Sequence, residues 1–201
     1  YTYAGVFYEL GVGRTPFSQI QKNQPTFNQT YTTDYYLTGG LRGRVKQRQT
    51  HTNQRLTKNT TYALTTLVDQ ATPKIVRVRA TKTQVHNYDL LGTDLGSVTT
   101  EFIGYDHYDN VTNTRVTTSG AGLSHSLTTQ VTYQNNTSAW ILGLPQSITR
   151  QAQQGSDQRS QTERLSYDAK GNLITQVKQP SDALAHTTNY TYNVKGNLLQ
   201  V

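Results

Sequence analysis

The sequence contains no cysteine, which excludes disulfide staples, thiolate metal sites and a cysteine nucleophile. It has no methionine, a single tryptophan, five prolines and only 15% charged residues. No apolar run approaches the ~18 residues of a transmembrane helix. No segment has the charged, apolar and small-residue regions of a signal peptide. A chain that opens on Tyr1 and lacks methionine is read as a fragment of a much longer chain, with residues 1–201 forming one β-sheet segment. Hydrophobic residues reach only 33%, too few to fill a second packed layer with Leu, Ile and Val.

Polar β-formers take their place. There are 34 threonines, 20 glutamines and 14 tyrosines. Thr and Tyr favour strands, and a disordered chain is usually poor in β-branched and aromatic residues. The composition therefore predicts an all-β protein with wet faces. Helical periodicity is absent, and alternation of period two is frequent. Within 74–81, Val76, Val78 and Ala80 fall on one face and Arg77, Arg79 and Thr81 on the other. Similar runs span Thr2–Tyr8, Thr26–Tyr36, Gly43–Thr50, Thr60–Val68, Val98–Tyr105, Thr112–Thr118, Ser126–Tyr133, Gln146–Gln151, Thr162–Tyr167, Asn172–Lys178 and Thr187–Tyr192. A dozen short strands with turn signals between them read as hairpins and meanders. Gln19–Pro25 and the Gln/Ser/Gly-rich Gln151–Ser160 read as linkers or long loops. Gly-rich Ser119–His125 reads as a flexible loop, because no helix follows to present a phosphate site.

One string recurs four times. Its copies are Tyr88-Asp89-Leu90-Leu91-Gly92, Tyr105-Asp106-His107-Tyr108-Asp109-Asn110, Tyr167-Asp168-Ala169-Lys170-Gly171-Asn172 and Tyr192-Asn193-Val194-Lys195-Gly196-Asn197. Asp or Asn suits the first position of a type I turn, where its side chain accepts backbone N–H groups. Gly suits the left-handed position that follows. Asp109 takes that place in the second copy, and Asp tolerates it better than most residues. Each copy is expected to form a hairpin with an aromatic ring near its bend. A looser string also recurs: Tyr36-Leu37-Thr38-Gly39-Gly40-Leu41, followed by Val45, and Trp140-Ile141-Leu142-Gly143-Leu144-Pro145, followed by Ile148.

Tyr-Asp-x-x-Gly-Asn-Leu resembles the YD repeat of RHS-type proteins. Its pairing with the Trp140–Pro145 string and with Tyr1-Thr2-Tyr3-Ala4-Gly5 is similar to the RHS region of insecticidal toxin-complex B components and SpvB-like proteins. The segment Tyr8-Glu9-Leu10-Gly11-Val12-Gly13-Arg14 departs from the family's Asp-x-x-Gly-Arg-Gly-Phe string, with Phe17 in the place of its Phe. The resemblance implies a fold class: all-β, an antiparallel hairpin ribbon of YD/RHS repeats forming a curved section of a hollow β-shell. It implies a non-enzymatic structural segment that encapsulates a toxin or other cargo polypeptide in a secreted bacterial toxin complex. The implied partners are neighbouring RHS repeats of the parent chain or a toxin-complex subunit, and the enclosed polypeptide. The implied location is secreted or extracellular. The family's self-cleaving aspartyl motif is not in this stretch, so no protease residues carry over. A cell-surface adhesin or carbohydrate-binding module built from the same repeats is the rival reading.

Residues that could carry chemistry are sparse. His51, His86, His107, His125 and His186 are scattered singly, at no metal-ligand spacing. Asp106 and Asp109 beside His107 resemble an acid–base or calcium cluster, yet both occupy turn positions of the repeat. Neither a catalytic site, a metal nor a cofactor is expected. Charge is uneven: residues 42–85 hold ten Lys or Arg and one acid, Asp69. Arg42, Arg44, Lys46 and Arg48 alternate, which predicts an anion-facing stripe along one strand, extended by Arg77 and Arg79. No interleaved aromatics accompany the stripe in sequence, so specific nucleic-acid binding is not expected. Strand edges cut from a longer ribbon are expected to self-associate edge to edge.

Overall fold

The structure is a computed structural model that describes residues 2–9, 13–68, 76–180, 183 and 185–201. Fifteen strands are defined among them. They are β1 (Thr2–Glu9), β2 (Gly13–Gln24), β3 (Gln29–Tyr35), β4 (Val45–Thr52), β5 (Arg55–Val68), β6 (Val76–Tyr88), β7 (Asp94–Tyr105) and β8 (Val111–Gly120), then β9 (Leu123–Asn136), β10 (Ile141–Gln154), β11 (Asp157–Tyr167), β12 (Leu173–Lys178), β13 (His186–Asn189), β14 (Thr191–Tyr192) and β15 (Leu198–Gln200). Strands β1 to β13 pair in strict sequence order, and β14 pairs with β15. Sequential pairing makes each connection a hairpin, so the fold is an antiparallel hairpin ribbon, as the alternating Thr/Tyr/Val pattern requires. The only helical pieces among the described residues are two 3-10 turns, Pro25–Phe27 and Gly39–Leu41.

The ribbon divides into two compact units, residues 1–101 with 117–124 and residues 102–116 with 125–201. In the first, β4 and β5 are joined at Asn53 and Gln54, both at positive φ (52° and 64°). The β8–β9 bend, also in this unit, is made by Ala121 and Gly122 at φ 49° and 76°. Two successive positive φ values match a two-residue turn to the right-handed twist of the strands it joins. Such economy overturns the flexible loop expected over Ser119–His125, since strand order runs up to Gly120 and resumes at Leu123.

The two expected linkers are also strand. Gln19–Gln24 belongs to β2 and pairs residue by residue with β3, from Gln19↔Asp34 to Gln24↔Gln29. In the second unit, Gln151–Gln154 pairs with Asp157–Ser160, and the reversal takes only Gly155 and Ser156. Glutamine-rich segments look like loops when a strand is expected to show an apolar face. Here both faces are wet, so polarity does not argue against a strand. The two Gly-Leu strings are not equivalent either. Gly39–Leu41 is a 3-10 turn in the loop between β3 and β4, whereas Ile141–Pro145 lies inside β10 at a register shift.

Among the described residues no hydrophobic side chain is buried, and Thr32 is the one buried polar residue. The sheet is therefore held by its backbone ladder and by cross-strand side-chain pairs instead of a dry core. In the first unit Gln19 donates to Asp34 (2.7 Å) and Gln47 to Asn59 (2.8 Å). In the second, the Glu163 carboxylate accepts from Arg150 at 2.9 Å and from Gln176 at 3.3 Å, and Gln176 in turn accepts from the Tyr190 hydroxyl at 3.0 Å.

Candidate functional site

The four Tyr-Asp strings fold into turns with one hydrogen-bond pattern. The N–H of the Asp or Asn donates to the carbonyl four residues on, in Asp89→Thr93, Asp106→Asn110, Asp168→Asn172 and Asn193→Asn197, at 2.9–3.0 Å. The N–H of Gly92, Asp109, Gly171 and Gly196 donates back to that first residue's carbonyl at 2.9–3.2 Å. These four residues sit at φ 90°, 67°, 85° and 82°. One side-chain oxygen of the first residue then accepts two backbone N–H groups. For Asp106 they come from Tyr108 (2.8 Å) and Asn110 (2.9 Å), and for Asp168 from Lys170 (2.8 Å) and Asn172 (2.9 Å). Asp89 and Asn193 do the same.

The residue after the glycine position completes the device. Asn110 and Asn172 donate their side-chain amides to the second carboxylate oxygen, at 2.8 Å on Asp106 and 2.9 Å on Asp168. A carboxylate with one oxygen on backbone and one on an amide has little acceptor capacity left for proton transfer or a metal. The carboxyl of Asp168 is held below its usual range by the Asn172 amide first, and that of Asp89 by the Thr93 backbone N–H. For Asp106 burial pushes the other way, but the Asn110 amide and N–H groups outweigh it and the value is again lowered.

In the second unit the turns are linked through the Trp140–Pro145 string. Asn135 accepts from the Gly143 N–H at 2.7 Å and also hydrogen-bonds Asp106. A Cβ on Gly143 would stand 2.9 Å from the Asn110 side-chain oxygen, so this turn packs against glycine. On the other side Ile141 and Leu144 lie over Gly171 of the Asp168 turn. Lys170 then reaches the Val194 carbonyl of the Asn193 turn at 3.5 Å. Tyr133 and Tyr167 brace the strands below, donating their hydroxyls to the Val111 and Pro145 carbonyls at 2.8 Å. Burial raises both hydroxyl pKa values, and the Asp106 charge adds to the rise at Tyr133. The Gly-Leu string thus serves as a spacer between turns, a role its sequence alone did not disclose.

The predicted basic stripe does not form. Arg42 and Arg44 precede β4, in a loop closed by Tyr36 N–H on the Arg44 carbonyl at 2.9 Å. Gly39 and Gly43, at φ 62° and 76°, turn the chain there and break the two-residue period. Lys46 falls at a register shift between Asp34↔Gln47 and Tyr35↔Val45. Of the four, Arg48 alone lies on an unbroken stretch of ladder, paired with Thr33 and Thr60. Arg79 and Arg77 pair with Thr65 and Leu67, odd positions of β5, whereas Arg48 pairs with even-numbered Thr60. They lie on the opposite face and cannot extend a stripe.

The described histidines do not gather. His86 stacks on Tyr88, with ring centroids 6.2 Å apart, and its Nδ1 lies 4.0 Å from the Asp94 carboxylate. His107 meets the Tyr108 ring edge-on at 5.3 Å. No group of three or more His, Asp or Glu placed to hold a metal occurs among the described residues. The segment Leu10–Val12 lies outside the described residues.

No protein-family model matches the sequence, and no curated protein matches it. Solved structures do. A chain of the Photorhabdus luminescens Tc holotoxin pore, carrying a TccC3 mutation, superposes with a TM-score of 0.67 at 7% identity over 81% of this chain. A chain of the TcdB2–TccC3–Cdc42 crystal structure does so with a TM-score of 0.70 at 8% identity over 88%. The matched region is 14% and 15% of those chains, so this chain spans a small part of their length. At such identity the likeness shows a shared fold: an antiparallel hairpin sheet of the kind found in Tc toxin complex chains.

Proposed function

We propose that the chain is a non-enzymatic wall section of an RHS/YD-repeat shell, which encloses a toxin or other cargo polypeptide in a secreted bacterial toxin complex. The observation that carries this reading is the fourfold turn. One hydrogen-bond pattern recurs at Asp89, Asp106, Asp168 and Asn193 along a ribbon whose strands pair in sequence order. A ribbon built this way adds strands without limit, as a wall requires, and has no use for a core. The Asp106 and Asp168 carboxylates are engaged by backbone N–H groups and asparagine amides of their own turns, which supports a mechanical role over a catalytic one. The fold likeness to Tc toxin complex chains supports the same class. Neighbouring repeats or a toxin-complex subunit would then cover the edge strands β1 and β13, and the complex would act outside the cell.

Electron cryo-microscopy of the full-length protein that contains this chain tests the reading. The expected result is a continuous hollow shell with β1–β13 in its wall and a polypeptide inside. A ribbon that closes on itself as an isolated barrel, or a solid domain with no enclosed chain, overturns it.

A further inference from the structure

In the unit formed by 1–101 and 117–124, four cations gather on one face. Lys22 pairs with Tyr31, Tyr31 with Thr50, and Thr50 with Lys58, so Lys22 and Lys58 share a face. Arg48, paired with Thr33, and Arg55, paired with Thr52, lie on that face too. All four cations are exposed. Three strand carboxylates lie on the reverse. Asp34 pairs with Gln19 and Gln47, Glu101 pairs with Lys82, and Asp94 approaches His86. Asp34, Asp94 and Glu101 thus lie on the face opposite Arg48, Lys58 and Arg55. A groove of about 280 Å³ opens on the face of the cations, lined by Tyr31, Arg48, Lys58, Tyr62 and flanking threonines.

We propose that this face is a docking surface for an extended acidic polypeptide with carboxylates at alternate residues. Arg48, Lys58 and Arg55 stand in three successive rows of the sheet, marked by Arg48, Thr50 and Thr52 on β4. Alternate residues of a strand lie about 7 Å apart, which is also the spacing of alternate side chains in an extended peptide. A peptide running along the strands therefore meets one cation per second residue. The guanidinium groups donate paired N–H bonds to carboxylates in fork geometry, and the threonine hydroxyls between them can bond its polar side chains. Tyr31 and Tyr62 are both part-buried, and the Tyr31 hydroxyl is engaged by Gln29. Rings held in this way give apolar contact to a peptide stem but not the open faces on which nucleobases stack. The assignment stands apart from the wall reading, since the face would bind such a segment whether or not the ribbon builds a shell.

Fluorescence anisotropy with a labelled peptide of alternating glutamate and threonine, at about 50 mM salt where surface charge is weakly screened, tests it. Arg48→Glu/Lys58→Glu should weaken binding at least about tenfold, as reversing two contacting charges does. The control Arg159→Glu/Lys195→Glu makes the same change in net charge at exposed sites of the other unit, and should alter binding by less than about twofold. Arg48→Gln/Lys58→Gln, which adds no repulsion, gives an intermediate loss and serves if circular dichroism shows the reversal misfolded. Three results overturn the proposal: no binding of the peptide, equal losses in both double variants, or tighter binding of oligothymidylate than of the peptide.

Discussion

Replacing Gly171 by alanine separates two costs that the repeated turn combines. Gly171 and Gly196 have nearly the same backbone, at φ 85° and 82°. Holding an L-residue in the left-handed region costs about 1–2 kcal/mol, and that term is common to both sites. The surroundings differ. A Cβ on Gly196 has one neighbour, the Asn172 side-chain oxygen at 4.0 Å. A Cβ on Gly171 stands 3.2 Å from Ile141 Cγ2 and 3.8 Å from Ile141 Cδ1 and Leu144 Cδ1. Carbon atoms prefer ~3.5–4.0 Å, so Ile141 must move by a few tenths of an ångström. Crowding of that kind adds about 1 kcal/mol, the low end of overpacking penalties. Gly196→Ala is expected to cost ~1–2 kcal/mol and Gly171→Ala ~2–3 kcal/mol. Urea unfolding followed by far-ultraviolet circular dichroism reads the difference, with slopes of ~2–3 kcal/mol/M converting 1 kcal/mol to ~0.4 M in midpoint. Gly171→Ala/Ile141→Val relieves the crowding and should recover part of the extra loss. Equal midpoints for the two alanine variants would refute the claim that the Ile141–Pro145 string packs onto the Asp168 turn.

Asp106→Ala removes the acceptor for Tyr108 N–H, Asn110 N–H and the Asn110 amide, and should cost about 1–2 kcal/mol by the same urea assay, with Asp106→Asn costing less because one acceptor oxygen remains. Asp89, Asp106 and Asp168 have lowered folded-state values, so their stabilisation is complete above the ordinary aspartate pKa near ~3.9 and is lost as pH falls through the lower folded values. A pH series of urea midpoints should therefore decline below about pH 4, and the Asp89→Asn/Asp106→Asn/Asp168→Asn variant should show a shallower decline. Tyr167→Phe deletes the bond to the Pro145 carbonyl and should cost about 1 kcal/mol, measured by thermal unfolding, whereas loss of nothing would mean water replaces the hydroxyl there.

The fold class was legible because Thr, Tyr and Val alternate over most of the chain, and because Asp-x-x-Gly strings punctuate it. The Asp168 string carries its own conformation in full: Asp168 supplies the acceptor, Gly171 the positive φ, and Asn172 the amide for the second oxygen. What misled were cues that presume a core. Gln151–Ser160 and Gln19–Pro25 have few apolar residues, Ala152 in one and Ile20 in the other, which marks a loop only when some strand face must be dry. The arginine stripe failed for a local reason, since Gly43 and the register shift at Lys46 interrupt the alternation on which it depended. The basic face was hidden for a different reason. Lys22, Arg48, Arg55 and Lys58 come from three strands, and only the cross-strand register reveals that they share a side.

Register is the central problem for a sheet of this composition. A slip by one residue normally exchanges a buried face for an exposed one, and that penalty fixes the pairing. Here no described hydrophobic residue is buried, so the penalty is largely absent. Threonine and glutamine on both faces would tolerate many alignments, and long strands such as β5, β9 and β10 have 14 residues over which to slide. The turns supply the missing constraint. In the Asp168 turn, the side chain holds the N–H groups of Lys170 and Asn172 while Gly171 closes onto the Asp168 carbonyl. A shift of one residue would put Ala169 where the acceptor must be, and Asn172 where the glycine must be, and would forfeit these bonds together. Side-chain pairs such as Arg150–Glu163 then reward the one alignment that the turn permits. The repeated string is thus the part of the sequence that makes a coreless ribbon fold in a single register.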